Sequence, residues 1–170
     1  MTYRIISTFD GEVTNCSLSE LSQKLKLNTV LCELNTDGSL IDSWPLVHET
    51  LVTFAVEFAD YALLNYTKKK IPEAETCIAL TRKWLENHDS VSNEELRAAA
   101  NAAANAAAAA ANAAANAAAY AAYAADAAAY AAYAAVAVAD AAGGDEKNRE
   151  AELIRQGQFI VGYLKSSSSK

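Results

Sequence analysis

Few side chains in this 170-residue sequence have the chemistry for catalysis or metal binding. His48 and His88 are its two histidines, and neither stands at ligand spacing from the other or from a cysteine. Isolated histidines of this kind are expected to be structural or solvated. Cys16, Cys32 and Cys77 are odd in number and far apart, which excludes a disulfide framework and a Cys-x-x-Cys redox or zinc pair. They read as core or half-buried strand and helix positions and not as nucleophiles. Glu57 and Asp60 share a helix face at i,i+3 spacing, where carboxylates are expected to point at water. There is no P-loop, no G-x-G-x-x-G and no G-x-S-x-G. The expectation is therefore a non-enzymatic protein with no catalytic residue, no metal ligand and no cofactor.

Charge narrows the partners. The 14 Lys+Arg against 21 Asp+Glu give a formal charge of −7, which disfavours sequence-blind binding to phosphates or anionic lipid. Lys68, Lys69 and Lys70 form the one basic run, and it sits where a helix C-terminus favours positive charge. Nucleic acid is not the expected partner. From Arg97 to Asp126 no charge intervenes, yet Asn101, Asn105, Asn112 and Asn116 would each have to bury an amide in hydrocarbon at a cost of roughly 2–7 kcal/mol, so a membrane span is rejected. Met1 to Asp10 lacks the apolar stretch of a secretory signal, and the cysteines suit a reducing compartment, so a cytoplasmic location is expected.

The elements that must position any site begin with two β-rich runs, residues 3–8 and 12–16, split by Asp10-Gly11, a hairpin signal. Ser17 with Glu20 three residues on is a capping box, and Leu18, Leu21 and Leu25 follow at helical spacing, so a short helix over 18–27 is expected. Residues 30–34 and 39–43 flank Asp37-Gly38, a second hairpin. The N-terminal residues 1–44 thus form a small β-β-α-β-β unit, too small to be stable unless it docks on something. Pro45 suits the first turn of the next helix, whose apolar face runs through Leu46, Leu51, Phe54, Phe58, Tyr61 and Leu64. Pro72 starts another helix toward Asn87, residues 88–91 read as a loop, and Ser92 with Glu95 forms a second capping box.

Composition then changes. Of the 45 residues from Ala98 to Ala142, 33 are alanine, the best helix former. At about 100° per residue the exceptions Asn101, Asn105, Asn112, Asn116, Tyr120, Tyr123, Asp126, Tyr130 and Tyr133 fall in one stripe about 140° wide. Smooth alanine faces let neighbouring helices approach closely, which makes the stripe the wet side of a bundle or, through its phenols, a recognition surface. An unbroken helix from Asn93 to Ala142 would be about 75 Å long, against about 40 Å for a compact chain of this size. Folding back between Ala106 and Asn116 is expected, although neither Gly nor Pro interrupts the run. Gly143-Gly144 ends the array, Asp145 opens a last helix with Ala151, Leu153, Ile154, Phe159, Ile160, Tyr163 and Leu164 available for docking, and residues 166–170 read as a flexible tail. The fold expected is mainly α, an alanine-rich helical bundle over residues 45–165 carrying the N-terminal unit.

From Phe54 to Leu164 the order of pieces resembles the alanine-rich helical immunity-type proteins of bacteria and their phages: FAVEFADYALLNY, then the helix holding Arg82, Trp84 and Leu85, then the array from Leu96 to Ala142, then EKNREAELIRQGQFIVGYL. The array lacks the interspersed His and Arg often seen in that family, and the N-terminal unit lies outside the resemblance. The resemblance implies a small protein that neutralises another protein, a toxin or a defence factor, by binding it. The alternatives are a self-assembling scaffold whose alanine faces pack between copies, which leaves a homo-oligomer open, and a protein that sequesters a small, nucleotide-like ligand against the tyrosines. The candidate binding surface comprises Tyr120, Tyr123, Asp126, Tyr130 and Tyr133, together with the first hairpin tip at Phe9 and Asp10.

Overall fold

The computed structural model describes residues 2–24, 26–67, 70–110, 118–120, 123, 134, 137–138, 140–141 and 146–168, with the main chain alone over 107–110. Strands β1 (Thr2–Ser7), β2 (Val13–Cys16), β3 (Thr29–Leu34) and β4 (Leu40–Leu46) form one antiparallel sheet in the order β2-β1-β3-β4. β1 pairs with β3 through Ile5 opposite Leu31, so the two hairpins are fused side by side along their first strands. Both Asp-Gly turns form, with Gly11 at φ 74° and Gly38 at φ 83°, backbone angles that a Cβ disfavours.

The strand order and the connector differ from the β-β-α-β-β unit expected. Between β2 and β3 the chain makes a 3-10 helix, Leu18–Lys24, in place of an α-helix over 18–27. Its capping box does form, with the Ser17 N–H and hydroxyl both donating to Glu20 Oε2 at 2.8 and 2.9 Å. Seven residues scarcely repay the nucleation of an α-helix, so packing dictates the shape. Pro45 is also corrected: it lies in β4, an edge strand on which a missing N–H is tolerated, and the first α-helix starts only at His48.

Helices α1 (His48–Tyr66), α2 (Pro72–Glu86) and α3 (Asn93–Ala110) follow, with a single 3-10 turn at His88–Ser90. Pro72 holds the first turn of α2. Ser92 and Glu95 exchange capping bonds at the start of α3, Glu95 N–H to Ser92 Oγ at 3.2 Å and Ser92 N–H to Glu95 Oε2 at 2.8 Å. The last described helix, α4 (Glu146–Ser167), buries Leu153, Ile160, Val161 and Leu164 while Ile154, expected to dock, is exposed. It runs through Ser167, and Ser168 accepts a hydrogen bond from Trp44 Nε1 at 3.0 Å, so the tail expected over 166–170 is held at least to that residue. Lys68, Lys69 and the helix stop at 143–145 lie outside the described residues.

One core joins sheet and helices. Tyr3, Ile5, Leu31 and Trp44 from the sheet, Phe54 and Phe58 from α1, Cys77 and Ile78 from α2, Leu96 and Ala100 from α3 and Ile160 from α4 belong to a single buried cluster. The aromatic seam between α1 and α4 sets Phe54 5.4 Å from Tyr163 and Phe58 5.8 Å from Phe159, both edge to face. Alanine serves the close packing expected of it, since Ala100, Ala103, Ala118, Ala119, Ala134 and Ala137 are buried in the same cluster. α4 approaches the 3-10 helix so closely that a Cβ on Gly157 would overlap the Leu18 carbonyl oxygen and lie 2.9 Å from Leu18 Cγ.

Candidate functional site

The residues singled out in the array divide between described and undescribed positions. Asp126, Tyr130 and Tyr133 lie outside the described residues. Tyr120 and Tyr123 are half-buried against the core, and the Tyr123 hydroxyl donates to Asn101 Oδ1 at 2.5 Å. These two phenols are therefore partly packed.

The hairpin tip is different. Phe9 is 94% exposed, the most exposed large apolar side chain described. Its loop is tied down by hydrogen bonds: Ser7 N–H to Glu12 O, Gly11 N–H to Ser7 O, and both the N–H and hydroxyl of Thr8 to Asn28 O. Asp10 accepts from the Glu12 N–H at 3.0 Å, and hydrogen bonding from Ser7 and Glu12 lowers its carboxyl below the usual range. Asp10 thus shapes the turn that presents Phe9.

That tip extends from a sheet that carries apolar side chains on both faces. Side chains alternate across a strand. Tyr3, Ile5, Cys16, Leu31 and Trp44 point into the core. On the opposite face Val13, Ile6, Val30 and Pro45 form one continuous cross-strand row, since Ile6 pairs with both Val13 and Val30, and Val30 with Pro45. Val13 is 53% exposed and Pro45 is exposed, and none of the four packs against the core. The next row is Asn15, Arg4, Cys32 and Ser43, in which Arg4 Nε donates to Asn15 Oδ1 at 3.0 Å. An antiparallel sheet with one solvated face ordinarily turns polar residues outward. This one does so in only one of these rows.

Elsewhere the fold assembles polar groups that are remote in sequence. Glu152 on α4 is 2% exposed and accepts from the Tyr66 hydroxyl at 2.6 Å, Arg155 Nε at 2.8 Å, Arg155 Nη2 at 2.6 Å and Gln156 Nε2 at 3.1 Å. The Arg155 guanidinium carbon sits 3.5 Å from the Tyr61 ring centroid. Burial, then the hydrogen bond to Glu152 and its charge, push the Tyr66 phenol well above its ordinary value. A surface groove of about 340 Å³ opens over these side chains. A second buried carboxylate, Glu33, lies 2.8 Å from Lys165 Nζ.

The remaining chemistry-bearing residues are also placed by tertiary contacts. Glu57 and Asp60 do not simply face water, because Arg82 Nη2 donates to both, at 2.9 and 2.8 Å, and ties α2 to α1. His48 and His88 flank Trp84 with ring centroids at 5.7 and 4.2 Å. Cys16, Cys32 and Cys77 are buried and outside any disulfide, burial raises the Cys16 and Cys32 thiols, and Cys77 donates to Ala118 O at 3.2 Å. Among the described residues no group of three His, Cys, Asp or Glu could hold a metal ion, and no helix is long and apolar enough to cross a membrane. The Asp-Gly signal located the exposed turn that carries Phe9. Sequence reasoning missed the outer apolar row, which depends on strand register, and the Glu152 cluster, which depends on helix packing.

Comparison with models of known protein families, with curated proteins and with solved structures yields no match to this chain.

Proposed function

We propose that this protein acts by binding another protein, without chemistry of its own, as an immunity-type inhibitor of a toxin or defence factor in a bacterium or phage. The observation that carries the reading is the outer sheet face. A row of four apolar side chains, with Val13 and Pro45 exposed and Ile6 and Val30 half-buried between them, lies beside a hydrogen-bonded loop that turns Phe9 outward. Contiguous exposed apolar surface of this kind is kept for partners, and a fixed aromatic ring loses little entropy on docking. The resemblance of the order of pieces to that of immunity-type proteins points the same way. The return of the alanine array onto α3, marked by the bond between Tyr123 and Asn101, removes the motive for a long assembly rod.

The test is comparative capture from bacterial lysate. The unaltered chain is expected to retain a specific protein that the double variant Phe9→Asp, Val13→Lys releases, with the melting curves of the two chains the same because both side chains are exposed. Retention of nothing by the unaltered chain, or of the same protein by both chains, would sink the reading.

A further inference from the structure

Glu152 stands in the seam between α1 and α4, where an apolar side chain would pack at least as well, because a buried ion pair seldom outdoes hydrophobic packing. What the pair achieves is position. Glu152 takes the Nε and Nη2 edge of Arg155 with both of its oxygens, and the Tyr61 ring supports one face of the guanidinium. A guanidinium has five N–H donors in a rigid plane. With one edge occupied, the end formed by Nη1 and the remaining N–H of Nη2 points away from Glu152. The carboxylate is sealed, its side chain 1% exposed, whereas the Arg155 side chain is 27% exposed at the groove of about 340 Å³ between Tyr61, Tyr66 and Ala151. Glu152 and Asn148 also line that groove, but the guanidinium is far the more exposed member of the pair, so a ligand there meets chiefly its positive end.

We propose that this groove is a binding site for an oxyanion, a carboxylate or a phosphate, received in the guanidinium plane by two parallel N–H bonds from the free end of Arg155. Such fork contacts run about 2.7–2.9 Å and are charge-assisted. Arg155 is already ordered, so binding costs little side-chain entropy. The chain's net charge of −7 supplies no long-range attraction, and Glu152 offsets the local charge, so the site works by short-range geometry and its affinity is modest. The proposal is independent of the protein-docking face on the sheet.

The test is an NMR titration of the full 15N-labelled chain with inorganic phosphate and, separately, with acetate, the ionic strength held constant with sodium chloride. The expected result is a saturable shift of the Arg155 Nε–H and the Ala151 amide with Kd on the order of 1 mM for at least one anion. Saturation by phosphate alone assigns a phosphate-bearing ligand, by acetate alone a carboxylate-bearing one, and by both a general oxyanion site. Arg155→Lys, which loses the fork, should weaken the shift at least about tenfold. Ala151→Glu, at an exposed helix position that tolerates a longer side chain, should abolish it by placing a carboxylate over the fork. Because Arg155→Lys also disturbs a buried carboxylate, Ala151→Glu decides the matter if that variant fails to fold. No saturable shift with either anion, shifts that map away from Arg155, or undiminished binding in Ala151→Glu would overturn the proposal and leave the Arg155–Glu152 pair a purely structural one.

Discussion

The Tyr123 hydroxyl donates a hydrogen bond to Asn101 Oδ1 at 2.5 Å, although on one straight α-helix the two residues would stand about 33 Å apart. The chain therefore reverses between them, without a glycine or a proline to mark the turn. Spin labels at positions 101 and 123 test this directly. Paired labels should report a separation of about 10–20 Å, label arms included, where an unbroken helix would give roughly 33 Å. Asn101→Ala removes an exposed acceptor and should lower stability by about 0.5–1.5 kcal/mol in urea unfolding.

Two glycines of α4 should respond in opposite directions. At Gly157 a methyl group would overlap Leu18, so Gly157→Ala is expected to destabilise by at least about 1–3 kcal/mol. At Gly162 a Cβ meets nothing within 4 Å, so Gly162→Ala should stabilise by about 0.5–1 kcal/mol through helix propensity. Denaturant midpoints for the two variants provide the comparison, and equal shifts would contradict the close approach of α4 to the 3-10 helix.

Acid should loosen the N-terminal capping box. Glu20 accepts from the Ser17 main chain, from Lys24 and from the Ser17 hydroxyl, and these bonds bring its carboxyl from 4.5 down to about 2. A depressed folded value means that the contribution is whole above pH 4.5 and is lost as pH falls through about 2. Carbon-detected titration of the side-chain carboxyl should find its midpoint near 2, and Glu20→Gln should flatten the stability profile across that window.

Alkali should act on the opposite set of groups. Burial and Glu152 raise the Tyr66 phenol above 10.0, burial and Glu33 raise Tyr3, and the hydrogen bond to Glu33 raises Lys165 above 10.5. Each folded value lies above the unfolded one, so these contributions are complete below pH 10 and are lost as pH rises through the folded values. Tyrosine absorbance should show two phenols titrating late, and Tyr66→Phe should remove one of them. The same variant leaves Glu152 one donor short and should unfold at lower denaturant concentration at neutral pH, by about 1–3 kcal/mol.

The parts of this fold that were legible share one property, which is that their causes lie within a few residues of one another. Asp10-Gly11 and Asp37-Gly38 announce turns because glycine alone takes the positive φ easily at that point. Ser17 with Glu20 and Ser92 with Glu95 announce helix starts because the bonds they make reach only three residues. The exposed Phe9 was legible for the same reason, as the tip of a turn.

What the sequence by itself determined is a chain of mainly helical character, with turns at Gly11 and Gly38, capping boxes that open the 3-10 helix and α3, and a long stretch of alanine that suits close packing. Tertiary structure alone decided that β1 would lie beside β3, that Pro45 would end up in an edge strand, that Val13, Ile6, Val30 and Pro45 would line up on the sheet face opposite the core, and that Glu152 would meet Tyr66 across 86 residues of sequence. Backbone sterics and local hydrogen bonds act along the chain, so their outcome is written in neighbouring letters. Strand register and buried charge pairs depend on which distant surfaces exclude water together, and that is a property of the whole packed chain.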